Sequence, residues 1–283
     1  MRRHIFLLVS ILTVSMAVLG ADEFKFPLKS GSVLFAVVGD MGSGDQPQYE
    51  TAQQIVNARQ TFPFDFVITT GDNLLGGSKP ADFDKKFAVP YKPLTDAGVK
   101  FYVSLGNHDD TNERFYKPFN MNGESYYTYK KGNVRFFVLN TNYMDPKQSA
   151  WLETQLKDAG NGDWKICYFH HPLYSSGKFH GPSLDVRKSL EPLFIKYGVD
   201  AVFSGHEHVY ERVHPQNGIY YFTEGASGML RSNNLARSAI TDKGFDTDRS
   251  FMLIEIAGDE MYFQTISRTG VTVDSGVIHR TIR

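Results

Sequence analysis

Cysteine is the scarcest residue of this sequence, with Cys167 the single one among 283 residues. An internal disulfide is therefore excluded, and the fold must depend on its hydrophobic core. Cys167 itself lies inside the apolar stretch 165–169, where a small buried hydrophobic side chain is expected rather than a nucleophile.

A surplus of charge of one sign is also lacking, because 30 basic residues face 31 acidic ones and the net charge is −1. No global basic field is therefore available to attract nucleic acid or anionic lipid, and any polyanionic partner would have to be recognised locally. We expect no obligate nucleic-acid partner. The sequence shows no stripe of basic and aromatic residues, no repeat and no low-complexity tract.

Long apolar runs are absent except for one near the N-terminus. Two arginines precede the apolar residues 5–19, which end in the small residues Gly20 and Ala21. This layout predicts a secretory signal peptide over residues 1–21, and hence a secreted or periplasmic protein with no membrane association after cleavage. A single membrane anchor is the alternative, but the run is short for a span and no positive stop follows it.

Strands and helices alternate through the first two thirds of the chain. Apolar, β-branched and aromatic segments typical of buried strands occur at 33–39, 66–70, 101–106, 165–169 and 201–205. Helical spacing predicts helices within 49–59, 151–159 and 186–197. A hairpin is predicted at 126–139, and antiparallel strands at 219–223, 251–256, 261–265 and 271–277. We expect an α/β fold of two mixed β-sheets packed as a sandwich flanked by helices, with residues 22–283 forming one domain.

The five buried strands share one property, which is that each ends in oxygen or imidazole donors. The donors are Asp40, Asp72, Asn107 with His108, His170 with His171, and His206 with His208. If the strands lie in one sheet, the donors meet at its rim, where metal cations are the simplest means of stabilising them. Singly, each residue could instead be a helix cap or a hydrogen-bonded core histidine. However, six of the nine histidines fall at or near these strand ends, namely the five above and His180, and the pattern predicts a two-metal hydrolase.

The motifs at these strand ends resemble those of the calcineurin-like metallophosphoesterase superfamily. They are Asp40-Met41-Gly42, Gly71-Asp72-Asn73, Gly106-Asn107-His108-Asp109, His170-His171-Pro172 and Gly205-His206-Glu207-His208. Gly42, in place of a second-ligand histidine, makes the chain similar to the purple acid phosphatase branch of the tartrate-resistant type. The resemblance implies the metallophosphoesterase fold, a two-metal centre and phosphoester hydrolysis by in-line attack of a metal-bridging hydroxide.

The resemblance also implies six metal-holding residues, with Asp72 as the carboxylate that bridges two metals. The others are Asp40 and His208 at the first site, and Asn107, His170 and His206 at the second.

Three further histidines would face the substrate. His108 would protonate or stabilise the leaving oxygen. His180 matches the position that contacts phosphate, and an exposed loop histidine is the alternative. His171 either contacts substrate and supports a ligand or is merely structural, and the sequence leaves both open.

Leu75 is the one clear departure, because it stands where purple acid phosphatases carry the tyrosine that ligates ferric iron. The first site then has only Asp40, Asp72 and His208 from the protein, with water or Asn73 to fill the gap. We therefore expect no tyrosinate-to-iron colour. Oxygen and imidazole donors without a thiolate suit two ions of Fe, Mn or Zn, and the sequence does not choose among them.

Together these features predict an exported, acid phosphatase-like, metal-dependent phosphoric ester hydrolase. Its substrates would be small phosphate esters, monoesters in preference to diesters. The alternatives are a phosphodiesterase or nucleotide-directed hydrolase of the same fold, or a catalytically impaired binding protein. The sequence does not indicate the oligomeric state.

Overall fold

The computed structural model describes residues 24–77, 79–236 and 238–280. The signal peptide predicted over residues 1–21 lies outside the described residues. Within them, no helix is both long and apolar enough to cross a membrane.

The described residues form two β-sheets with helices on their outer faces. The strands are β1 (Val33–Val38), β2 (Phe66–Thr69), β3 (Lys100–Val103), β4 (Tyr127–Lys131), β5 (Val134–Val138), β6 (Trp164–Tyr168), β7 (Ala201–Ser204), β8 (Tyr210–Gln216), β9 (Ile219–Glu224), β10 (Thr241–Phe245), β11 (Ser250–Ala257), β12 (Glu260–Ser267) and β13 (Thr272–His279). The α-helices are α1 (Gln46–Arg59), α2 (Pro80–Phe83), α3 (Lys92–Asp96), α4 (Pro146–Asp158) and α5 (Leu184–Tyr197). Shorter helical turns are Asp84–Ala88, Thr111–Phe115 and Lys117–Phe119.

Both sheets are mixed, as predicted. The first has the order β13-β12-β11-β1-β2-β3, and the second has the order β10-β8-β9-β7-β6-β5-β4. Strands β1, β2 and β3 are parallel to one another, as are β5, β6 and β7, so the carboxyl ends of the central strands point the same way within each sheet. That edge is where open α/β sheets carry ligands.

The sheets pack face to face through alternating side chains. In β1, Phe35 points into the core between the sheets, where it meets Phe136 and Phe203 of the second sheet. Its neighbour Ala36 points the other way, toward α1. Helices α4 and α5 cover the outer face of the second sheet, and the buried Cys167 packs there, as predicted. The period-two alternation of the strands therefore produces the sandwich.

Helix boundaries follow the expected capping chemistry. The Asp45 side chain accepts the backbone N–H of Gln48 at the start of α1, and Asp145 accepts that of Gln148 at the start of α4. Helix α5 ends at Gly198, whose φ of 66° suits glycine.

Two strands were not predicted, β8 and β10, because both carry charged side chains. In β8 the buried Glu211 accepts hydrogen bonds from the hydroxyls of Ser175, Ser176 and Thr241. Arg212 pairs with Asp242 and Asp274. These partners are distant in sequence, so the local pattern gives no sign that the charges are accommodated in a sheet.

Candidate metal centre

The carboxyl ends of strands from both sheets bring the predicted donors together. Asp40 and Asp72 follow β1 and β2, whereas His170 and His206 follow β6 and β7. The backbone N–H of His206 donates to Oδ2 of Asp40 at 2.9 Å, and Nδ1 of His170 bonds the carbonyl of Thr70 at 2.9 Å. The donor-bearing strands are therefore divided between the two predicted sheets and do not lie in one sheet. The donors nevertheless converge, because the two sheets meet at this edge.

Three of these donor residues have a left-handed backbone conformation, which is uncommon for residues other than glycine. The φ angles are 49° at Asp40, 52° at Asp72 and 70° at His206. Each such residue costs on the order of 1–3 kcal/mol and persists only where the surrounding structure holds it, typically at functional sites. The backbone here is shaped to direct side chains inward.

Glycines before two of the ligand motifs permit the close approach. A Cβ on Gly106 would lie 2.1 Å from Oδ1 of Asp72, and one on Gly205 would lie 2.5 Å from Oδ2 of Asp40. Any side chain at these positions would displace a carboxylate.

One donor cluster consists of Asp40, Asp72 and His208, all buried. Nε2 of His208 lies 3.3 Å from Oδ1 of Asp40. Oδ1 of Asp40 and Oδ2 of Asp72 are buried and have no hydrogen-bond partner among the described residues. Buried carboxylate oxygens without a partner are costly, and a cation between them would remove that cost.

The second cluster surrounds His170. Its Nε2 lies 2.9 Å from Oδ1 of Asn107, 3.0 Å from Nδ1 of His206 and 3.6 Å from Oδ2 of Asp72. Because Nδ1 of His170 donates to the carbonyl of Thr70, Nε2 carries a lone pair that faces the lone pair of the Asn107 oxygen. Two acceptors that face one another can both bind a metal ion placed between them. The residues of this cluster therefore fit a metal site.

Burial sets the protonation of the donors. It raises the pKa of Asp40 well above its usual range, and the charge of Asp72 adds to the rise. Burial together with the neighbouring His170 lowers the pKa of His206 to about 2. Burial and Arg231 lower the pKa of His208 to about 4. The lowered pKa values keep His206 and His208 neutral, which is the form of imidazole that binds metals. The raised pKa of Asp40 shows that its carboxylate has too little positive charge nearby, which a metal cation would supply.

The three histidines predicted to face substrate lie around these clusters. His108 is exposed, and its backbone N–H donates to Oδ1 of Asp72 at 2.9 Å. The exposed ring of His180 lies 3.9 Å from that of His206, centroid to centroid. His171 bonds Thr141 through Nδ1 at 2.9 Å and also belongs to a cluster with His170 and His206.

Comparison with known proteins identifies the family. Residues 33–210, a span that includes both clusters, match the calcineurin-like phosphoesterase family. The chain belongs to the calcineurin-like phosphoesterase family. This family is dinuclear and metal-dependent. The comparisons confirm the predicted fold and the predicted enzyme class, a metal-dependent phosphoric ester hydrolase.

Individual relatives place the chain near the purple acid phosphatases, as predicted. Tartrate-resistant acid phosphatase type 5 of Oryctolagus cuniculus is 27% identical over 245 residues, which cover 69% of this chain and 73% of that relative. Among solved structures, GAP50, the anchor in the inner membrane complex of Plasmodium, has a TM-score of 0.81 at 20% identity, and 88% of this chain and 89% of that chain are covered. Purple acid phosphatase PPD1 from yellow lupin (Lupinus luteus) seeds has a TM-score of 0.74 at 21% identity, over 90% and 55% of the two chains. At these identities the solved structures show the fold alone.

Asn73 does not fill the gap that Leu75 leaves in this phosphoesterase. Its side-chain oxygen accepts the hydroxyl of Thr69 at 2.6 Å, and its amide nitrogen donates to Ser104 and Asp109. Both amide hydrogens of Asn73 and one lone pair of its oxygen are therefore used in the core beside the centre, which favours water over Asn73 as the additional donor.

Asp109 has a supporting role that sequence reasoning missed. Its carboxylate accepts the backbone N–H groups of Asn73, Leu74 and Gly106 and the side-chain amide of Asn73, at 2.7 to 3.1 Å. It thereby joins the loop after β2 to the loop after β3. Burial and the charge of Asp72 raise the pKa of Asp109 to about 7. The sequence feature that could have identified this role is the position of Asp109 in the same motif as Asn107.

Glu207 and Arg231 were also missed. Glu207 is buried between the two histidines of its motif and accepts the backbone N–H groups of His180 and Gly181 at 2.6 and 2.5 Å. It therefore anchors the loop that carries His180. Nε of Arg231 lies 3.3 Å from Nδ1 of His208, although no sequence pattern marks this residue.

Two clefts of about 560 Å³ flank the phosphoesterase centre. The first is lined by the polar residues Asn107, Thr111, Thr141, Asn142, His171, Ser183, Asp109 and Asp185 with Leu184 and Val186. The second lies beside His108 and includes Lys79, Asp82 and Asp110. Among the described residues that line the clefts there is one lysine and no arginine.

Proposed function

We propose that the protein is an exported phosphomonoesterase with a dinuclear metal centre. One observation carries the proposal: the partnerless oxygens of Asp40 and Asp72 lie beside imidazoles of His170 and His208, in a chain whose family is dinuclear. The names of the curated relatives, which are acid phosphatases, support monoesters as substrates.

The proposed metal ligands follow the two clusters. Asp72 would be shared by both sites, Asp40 and His208 would complete the first, and Asn107, His170 and His206 would complete the second. Two ions of Fe, Mn or Zn at these positions would supply a nucleophilic hydroxide near neutral pH and neutralise charge on the phosphoryl group.

The protein side chains provide positioning and proton transfer. We assign His108 to the leaving group, because it is exposed on the side of a cleft while its backbone is fixed by Asp72. His180, held by Glu207 through its backbone N–H, contacts the phosphate oxygens. His171, whose Nδ1 is engaged by Thr141, lines the first cleft, and we assign it to substrate binding there.

The clefts support a small substrate with a single phosphate. Their lining offers hydroxyls, amides and carboxylates, which suit a polar and uncharged leaving group. A polyanion would need a row of cations, and Lys79 is the one lysine or arginine among their described lining residues.

Export is supported by the N-terminal sequence pattern, and we propose that residues 22–283 form the mature single domain. Mass spectrometry of the chain purified from its producing cell tests this. An N-terminus near residue 22 is expected, and a retained N-terminus would contradict it.

The function is tested with a generic aryl phosphate monoester and the matching bis-aryl diester. Metal-free protein is reconstituted with Mn, Fe or Zn, and each preparation is assayed on both substrates. Hydrolysis that requires metal and favours the monoester is expected. Asp40→Asn should abolish it, whereas His214→Ala, a change at an exposed histidine on β8, should leave it unchanged. A preference for the diester would favour the phosphodiesterase alternative.

A binding protein of this fold is the second candidate, and one observation favours it. Within the described residues, the first cluster offers three side chains, because Leu75 stands in the place of a ligand and the oxygen of Asn73 accepts a hydrogen bond from Thr69. Two bound metals without turnover on either ester would support this second function.

A further inference from the structure

Arg231 lies directly behind the first cluster. Its backbone N–H donates to the carbonyl of His208 at 3.0 Å, and its Nε–H donates to Nδ1 of the same residue at 3.3 Å. The guanidinium is stacked 3.4 Å above the ring centroid of Phe179. Its Nη1 is buried and has no hydrogen-bond partner within the described part of the chain. Arg231 is therefore held in place by packing and by His208.

The surroundings of His208 differ from those of His170. A metal-binding histidine normally donates its other ring N–H to a carbonyl, a carboxylate or water. His170 does so, because its Nδ1 bonds the carbonyl of Thr70 at 2.9 Å. Nδ1 of His208 instead meets an N–H donor, so Nδ1 is the acceptor and Nε2 carries the hydrogen.

A metal on Nε2 of His208 requires that hydrogen to move to Nδ1. The new Nδ1–H would then face the Nε–H of Arg231, two donors without an acceptor between them. The permanent charge of the guanidinium also repels a cation bound on the other side of the ring. Neither penalty acts on the cluster around His170.

We propose that Arg231 competes with the first metal for His208, so that the second site fills first and the first site binds more weakly. This inference rests on the two metal sites of the proposed function. It concerns the order and strength of metal binding, which activity alone does not report.

Calorimetric titration of the metal-free full chain with Mn²⁺ tests the proposal. The wild type should bind one ion tightly and a second at least about tenfold more weakly, a difference of about 1.4 kcal/mol. Asp40→Asn should remove the weaker event and keep the tighter one, which assigns the weaker event to the first cluster.

Arg231→Gln should strengthen the weaker event by about tenfold or more, because a glutamine oxygen can accept Nδ1–H and carries no charge. Arg231→Lys keeps the charge and offers only donors, so the weaker event should stay weak. Arg231→Met removes charge and donors while keeping an unbranched side chain over Phe179, and it provides the test if the glutamine variant does not fold.

Arg59→Gln is the matched control. Arg59 also lies over an aromatic ring, at 6.0 Å from the centroid of Phe64. Phe64 comes before β2 and Asp72 comes after it, so Arg59 is at the opposite end of this strand from the metal ligands. This variant loses the same charge and should titrate like the wild type. Two events of equal affinity in the wild type, or no change in both Arg231→Gln and Arg231→Met, would overturn the inference.

The same preparations separate this inference from the proposed function. Equal affinities with metal-dependent hydrolysis would contradict the competition and leave the phosphoesterase intact. Ordered binding without hydrolysis of any phosphate ester would support the competition and contradict the enzyme.

Discussion

Oδ2 of Asp72 lies 3.6 Å from Nε2 of His170, and both atoms are buried. The other carboxylate oxygen, Oδ1, accepts the backbone N–H of His108, whereas Oδ2 has no hydrogen-bond partner among the described residues. One oxygen of Asp72 is thus used to hold a loop, and the other is directed at the place where both donor clusters meet.

Asp72→Asn should therefore abolish binding of the metal pair. The amide is the same size and its oxygen can still accept the N–H of His108, but it cannot supply a bridging charge. We expect elemental analysis to fall from two metals to at most one per chain, and turnover to fall by at least about 10²-fold.

The fold of this variant should survive, because burial raises the pKa of Asp72 and a neutral side chain is tolerated there. Thermal unfolding of the metal-free proteins checks this. Asp145→Asn, at the cap of α4, is the matched control. Two retained metals in Asp72→Asn would refute the bridging role.

His108→Ala should leave both metals bound but lower kcat by about 10²- to 10⁴-fold, as expected for loss of a proton donor. The loss should be larger for an alkyl phosphate than for an aryl phosphate, because an alkoxide leaving group needs the proton more. Parallel assays of both esters and elemental analysis measure this. An equal loss on both esters would show that His108 does not serve the leaving group.

Leu75→Tyr tests the departure from the purple acid phosphatases. Iron-loaded wild type should show no tyrosinate-to-iron absorption band in the visible region. The tyrosine variant should gain such a band and bind ferric iron more tightly at the first site, with Leu75→Phe as the control that adds a ring without a donor. A strong visible band in the wild type would be incompatible with this account.

Glu224→Gln should change the pH dependence of stability. Burial raises the pKa of Glu224 to about 8, with a contribution from Asp40. Between its ordinary pKa and about 8 the folded state holds a proton that the unfolded state has released. Glu224 therefore favours folding at low pH, and this contribution is lost as the pH rises through that window.

The loss amounts to at most about 1.4 kcal/mol per pH unit. The free energy of unfolding of the metal-free protein, from urea titrations at pH 5.5 and 7.5, should fall more steeply in the wild type than in Glu224→Gln. Parallel curves for the two proteins would show that Glu224 does not hold this proton.

The strands around the site could be predicted because their signals are local. Strand β1, for example, is an apolar run that ends in Gly39 and Asp40, and the structure places it within one residue of the expected end. Strand β8 could not be predicted, since Glu211 is accommodated only by hydroxyls from distant segments.

The same distinction between local sequence signals and contacts distant in sequence applies to the site. The sequence motifs name the donors that the structure brings together, while their roles stay predictions. Sequence could not show that the donors come from two sheets. Nor could it show that Arg231 lies behind His208, because the two residues are 23 positions apart and no motif links them. It also could not show that the oxygen of Asn73 is used by Thr69.

The central claim is that ends of strands from two sheets hold a pair of cations, and anomalous diffraction from crystals of the metal-loaded protein tests it most directly. Two peaks about 3.5–4 Å apart are expected, both within bonding distance of Asp72, with Asp40 and His208 at one and Asn107, His170 and His206 at the other. A single peak, or metals bound away from Asp72, would contradict the account.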